Sequence, residues 1–128
     1  MRIIELDKTL CLTTEIYSPY PTRFNREEPP VSERQLPLVY RCDECQTEIS
    51  FTMSDVEKHW YSDFTNLEDE HNNQFANFIA VNSLTDFSCL DFYCPNCKQA
   101  SKFLFRCGAS GYWGAFSFEI DKVLVLKP

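Results

Sequence analysis

Two short cysteine pairs, Cys42-Asp-Glu-Cys45 and Cys94-Pro-Asn-Cys97, are the residues whose type and spacing point most directly to chemistry; 48 residues separate them. A CxxC turn presents two sulfurs on one side, and two such turns supply the four soft ligands that a tetrahedral zinc ion takes at about 2.3 Å. A four-thiolate set is closed, whereas catalytic zinc keeps a position open for water. The expected cofactor is therefore one structural Zn2+ held by Cys42, Cys45, Cys94 and Cys97. Iron could fill the same cage, since ligand type alone does not separate the two metals. Thioredoxin-type redox chemistry fits less well. It needs its first cysteine at a helix N-terminus, and Cys94-Pro-Asn-Cys97 leads into KQASKFLFR, which reads as a strand. A disulfide within each pair is the remaining alternative, but seven cysteines are an odd number and suit reduced thiols better. Cys11, Cys89 and Cys107 sit in apolar surroundings and read as small buried hydrophobes, with Cys89 alone near enough in sequence to replace a missing ligand.

The paired CxxC elements, each between β-forming runs, resemble the metal knuckles of zinc-ribbon and rubredoxin-like proteins over residues 38–53 and 90–106, about a quarter of the chain. The resemblance implies an antiparallel ribbon with one knuckle at each of two hairpin tips. The chain departs from the pattern in two ways. The 48-residue connection far exceeds the usual spacing, and Gln46 and Lys98 stand where such knuckles often have glycine.

The elements that must position these knuckles follow from periodicity. LPLVYRC and TEISFTM read as two arms of a hairpin around the first pair. Ser54-Asp55-Val56-Glu57 has capping-box spacing and predicts a helix from there to about Tyr61. Thr65-Asn66-Leu67-Glu68 repeats the signal, and Leu67, His71, Phe75, Phe78 and Ile79 fall at helical spacing, predicting a helix over roughly 66–80. Ile4, Leu6, Leu10, Leu12 and Ile16 alternate with polar positions and suggest an N-terminal strand pair. FLFR, then Phe116, Phe118 and Ile120, predict C-terminal strands, and Val123–Leu126, apolar on both sides, suggests a covered strand. The three glycines, Gly108, Gly111 and Gly114, predict an irregular turn carrying Tyr112 and Trp113. The expected fold is one α+β domain over residues 1–128, mainly an antiparallel sheet built on a zinc ribbon. It divides into N-terminal strands (1–18), a proline-rich connector (19–37), the ribbon (38–106) with an acidic, partly helical insert (54–86), and a C-terminal strand region (107–128).

Charge is unevenly placed. From Asp43 to Asp91 eleven carboxylates face one base, Lys58, so this stretch carries −10 while the remainder carries +3. The net charge of −7 disfavours general binding to phosphate backbones. No window approaches 18 consecutive apolar residues, and the N-terminus lacks a secretory pattern, so a cytoplasmic location is expected. His59 and His71 lie in no motif with a nucleophile and read as surface or core-edge residues. GxSxG, HExxH and phosphate-cradling loops are missing from the sequence, so no enzymatic reaction is expected.

Besides redox or metal handling by the CxxC pairs themselves, which would make the zinc labile, two functions remain. The first is a protein-binding module whose acidic residues Asp63, Glu68, Asp69 and Glu70, with Tyr112 and Trp113 as aromatic anchors, engage a basic partner. In size, charge and lack of an active-site constellation such a chain is similar to bacterial immunity proteins, which implies a basic toxin or nuclease as the partner. The second is a nucleic-acid or transcription-associated ribbon, in which Arg41, Lys98, Lys102 and Arg106, interleaved with Tyr40, Tyr93 and Phe103, converge into a basic patch. An acidic helix face carrying only solvated charge is the plain alternative to both.

Overall fold

The computed structural model describes residues 2–13, 15–17, 37–61, 63–109 and 116–128. Among these, β1 (Arg2–Leu6), β2 (Glu15–Tyr17), β5 (Ser88–Tyr93), β6 (Ala100–Ala109) and β7 (Phe116–Lys127) form an antiparallel sheet in the order β1-β7-β6-β5, with β2 also on β7. β3 (Leu38–Arg41) and β4 (Glu48–Phe51) form a separate hairpin, and α1 (Met53–Tyr61) and α2 (Asp69–Val81) follow it. This is the expected α+β class, mainly antiparallel.

Alternation along β7 explains the layering. Val123 and Val125 face a core with Phe103, Phe105 and Phe118, onto which the hairpin brings Leu38, Tyr40 and Phe51 and α1 brings Met53 and Val56. Leu124 and Leu126 face the other way, into a second core with Leu104, Leu67 and Phe75 of α2. A strand covered on both faces should read apolar at successive positions, and Val123–Leu126 does. The hairpin is seated by aromatic edges. Tyr40 lies 5.4 Å from Phe103 and Phe51 lies 4.6 Å from Phe92, ring centre to ring centre, the tilted arrangements that aromatic quadrupoles favour.

Four expectations change. The N-terminal strands do not pair with each other; both pair with β7, whose length accommodates β1 at Val123–Lys127 and β2 at Ser117–Glu119. Between them Leu10 lies in a 3-10 turn, Lys8–Leu10, where the Asp7 side chain accepts from the Thr9 N–H at 3.0 Å. α1 begins at Met53, two residues before the expected cap has effect. The reciprocal bond is made by Thr52, whose N–H donates to Asp55 Oδ2 at 2.8 Å. α2 begins at Asp69, because Thr65 and Asn66 are spent elsewhere, as described below. Gly108 is part of β6, opposite Ser117. Gly111, Gly114, Tyr112, Trp113 and nearly all of the proline-rich connector lie outside the described residues.

Candidate metal centre

The two knuckles close in the same way. At the β3–β4 tip the Cys42 N–H donates to the Thr47 carbonyl and the Gln46 N–H to the Cys42 carbonyl, both at 2.9 Å. At the β5–β6 tip the Cys94 N–H donates to the Gln99 carbonyl and the Lys98 N–H to the Cys94 carbonyl, also at 2.9 Å. Each loop turns back through one left-handed residue, Gln46 at φ 64° and Lys98 at φ 67°. These are the two positions where the resemblance leads one to look for glycine, so the backbone adopts the knuckle conformation despite a Cβ. Left-handed backbone at a non-glycine residue costs on the order of 1 kcal/mol, partly offset by the greater freedom glycine has when unfolded. Lys98→Gly is therefore expected to raise stability by about 0.5–1 kcal/mol without changing metal content, read by thermal melting beside metal analysis.

The fold brings the four sulfurs together across the long insertion. Cys42 Sγ lies 3.5 Å from Cys97 Sγ, and Cys45 Sγ lies 3.5 Å from Cys94 Sγ. All four lie within 4.8 Å of one another. A tetrahedron with metal–sulfur bonds of about 2.3 Å has edges of about 3.8 Å, so the four thiols are positioned to bind one metal ion. Cys42 and Cys94 are buried, Cys45 is half-buried and Cys97 is exposed.

Donors already surround the sulfurs. Cys45 Sγ lies 3.2 Å from Thr47 Oγ1, and this hydrogen bond does most to lower the Cys45 thiol to about 5. Burial pushes the Cys42 thiol up to about 12, against backbone N–H groups of Cys45 and Glu44 that favour its thiolate. An arriving cation reverses that burial penalty, because coordination deprotonates a thiol outright. The Cys42 thiol faces Gln99 Oε1, an acceptor, at 3.8 Å; turning the amide over would present its NH2 to a thiolate. Lys127, at the end of β7, ion-pairs with Asp43 and, at 3.0 Å, with Glu44, tying the first knuckle to the main sheet. Those two carboxylates hold Lys127 above its usual value.

The other expected site residues scatter. Asp63, Glu68, Asp69 and Glu70 are exposed, and the last three sit at the start of α2, where carboxylates also suit the helix dipole. Glu68 Oε1 lies 3.4 Å from His71 Nδ1, which is 2.8 Å from the Tyr93 hydroxyl. Of the residues of the expected basic patch, Arg41 pairs with Glu48 at 3.8 Å and Arg106 with Asp121 at 2.9 Å. Lys102 is buried with its Nζ over the Phe75 ring, and Tyr40 and Phe103 are core residues. Cys11 is buried as expected, Cys89 is half-buried and outside the sulfur cluster, and the Cys107 side chain lies outside the described residues.

Reading the sequence alone missed a buried ion pair. His59, expected at the surface or core edge, is 9% exposed, and its Nε2 lies 2.9 Å from Oδ1 of Asp91. Its Nδ1 lies 2.7 Å from the Asp55 carbonyl. The Asp91 backbone N–H also faces Nε2, at 3.2 Å, so Asp91 meets this ring nitrogen through both its carboxylate and its main chain. Burial alone would lower the His59 pKa, but the hydrogen bonds to Asp91 and Asp55 outweigh it and the net shift is upward. Burial would raise Asp91, yet donors from His59, Thr65 O–H and the Asn66 N–H hold it below its ordinary value. Asn66 Nδ2 also donates to the Asp91 carbonyl at 2.9 Å, so side chains cover the backbone of β5, the outer strand of the sheet.

Comparison with protein-family models, curated proteins and solved structures finds no match to this chain. Function is therefore argued from the site. Among the described residues no helix is long and apolar enough to cross a membrane.

Proposed function

We propose that the chain is a zinc-stapled protein-binding module: a ribbon formed by the β3–β4 and β5–β6 tips, interrupted by an acidic helical insert that docks a basic partner. The observation that carries the reading is the sulfur cluster itself. Four cysteines from two hairpins, all within 4.8 Å, leave no ligand position for water once an ion is bound, so the ion's role is structural. When bound, zinc would offset two of the four thiolate charges and cross-link the hairpin to the sheet. Cys42, Cys45, Cys94 and Cys97 hold it, and Thr47 and Gln99 orient two of them.

Partner binding is supported by the exposed acids of the insert. Glu68 keeps 67% of its side chain exposed, and Asp69 and Glu70 follow it on the same turn. Trp60 and Phe64, exposed on either side of Asp63 in sequence, offer aromatic contact area of the kind that anchors interfaces. Small size, a net charge of −7 and a closed metal centre favour, as the most specific form, an immunity-type inhibitor of a basic toxin or nuclease.

Charge reversal tests this. Glu68, Asp69 and Glu70 all changed to Lys should leave zinc content intact and lower stability by about 1–3 kcal/mol or more, since each acid contributes about 0.3–1 kcal/mol to the helix start and its reversal adds repulsion. Association with a partner captured at low salt should slow about tenfold, and the difference should shrink as ionic strength rises. An unchanged association rate at every salt concentration would reduce the acids to solvated charge. Retention on heparin would instead favour the nucleic-acid ribbon.

A further inference from the structure

We infer that Cys97 is an oxidation site through which a hydroperoxide opens the metal centre, leaving a Cys42–Cys97 disulfide and a released ion. The inference rests on the zinc reading above and adds to it the order in which the sulfurs react.

Cys97 is the exposed member of the four, while Cys42 and Cys94 are buried and Cys45 is half-buried. It lines a cavity of about 300 Å³ together with His71, Lys98, Gln99 and Leu126, roomy enough for a small peroxide. Oxidants reach accessible sulfurs before buried ones. Cys42 Sγ lies behind it at 3.5 Å, on the other knuckle, placed to resolve the oxidised sulfur.

The step balances. The Cys97 thiolate attacks one oxygen of the peroxide, the O–O bond breaks, and the other oxygen leaves as hydroxide or alkoxide and takes a proton from water. The Cys42 thiolate then attacks the Cys97 sulfenic sulfur, the S–O bond breaks and a second hydroxide leaves. Two electrons pass from the sulfur pair to the peroxide. An ion left with Cys45 and Cys94 alone is no longer held. The new disulfide joins the same two hairpin tips that the ion joined, so the oxidised, metal-free chain keeps its cross-link, which a chelated chain does not.

The full-length, zinc-loaded protein is treated with hydrogen peroxide while a chelating dye reports zinc, and peptides are mapped without reduction. The expected result is one zinc released per two thiols lost, with Cys42 linked to Cys97 and an early sulfenic-acid adduct on Cys97. The variant Cys97→His keeps four ligands and removes the accessible sulfur, so its release should be about tenfold slower. A first disulfide between any other pair, or equal release from the zinc-loaded variant, overturns the inference while leaving the zinc reading intact. A variant that holds no zinc leaves the decision to the wild-type map. A wild-type chain that binds no zinc overturns both.

Discussion

Cys42→Ser is expected to abolish high-affinity metal binding and to release the β3–β4 hairpin from the sheet, with near-ultraviolet circular dichroism and zinc content lost together. Ordering residues 38–51 costs about 1–2 kcal/mol for each backbone. Burial of Leu38, Tyr40 and Phe51 returns about 1.5–3 kcal/mol apiece. Apolar contact therefore does not hold this segment by itself. Structural zinc contributes apparent binding energies of roughly 10–16 kcal/mol, comparable with the whole stability of a small domain. The half-buried Cys89, outside the cluster, provides the control: Cys89→Ser should retain the metal and melt within about 1–2 kcal/mol of the parent.

Breaking the buried His59–Asp91 pair should have the next largest effect. Removing one partner of a buried ion pair costs about 3–5 kcal/mol, because the other is left charged and unpaired. Asp91→Ala should cost more than His59→Ala, since Asp91 also holds Thr65 and Asn66. The double variant should cost less than the sum of the two. Because the His59 pKa is raised on folding, its contribution is full below its ordinary value of 6.5 and is lost as pH rises through the folded value. Asp91 is lowered, so its contribution is present above 3.8 and is lost as pH falls through its folded value. The alkaline limb is the cleaner measurement, since acid also protonates the thiolates and expels zinc. Denaturant melts of wild type and His59→Gln with metal bound should differ most just below pH 6.5 and converge as pH rises through the folded pKa of His59.

What could be read from the sequence was what short-range pattern determines. Each CxxC is a local turn, and the β-forming runs around it identify both hairpin arms, so the ligands and two of the pairings could be written down before any fold. Alternation located β6 and β7, and the doubly apolar Val123–Leu126 marked a covered strand. Long-range demands were not legible. β1 and β2 alternate correctly, but only the length of β7 determines that both pair with it. Thr65 looked like a helix cap because nothing nearby shows that Asp91, further along the chain, needs its hydroxyl; a buried carboxylate recruits donors wherever the fold puts them. His59 and Asp91 carry no motif for the same reason. The acidic segment was legible as charge, but Asp43 and Glu44 within it are committed to Lys127 and belong to the metal knuckle.

X-ray absorption at the zinc edge on the purified full chain, with metal content measured on the same sample, tests the closed four-sulfur centre most directly. The account predicts one zinc per chain and a shell of four sulfurs at about 2.3 Å, with no nitrogen or oxygen. A mixed shell containing a light-atom ligand, or a folded chain that carries no metal, would contradict it.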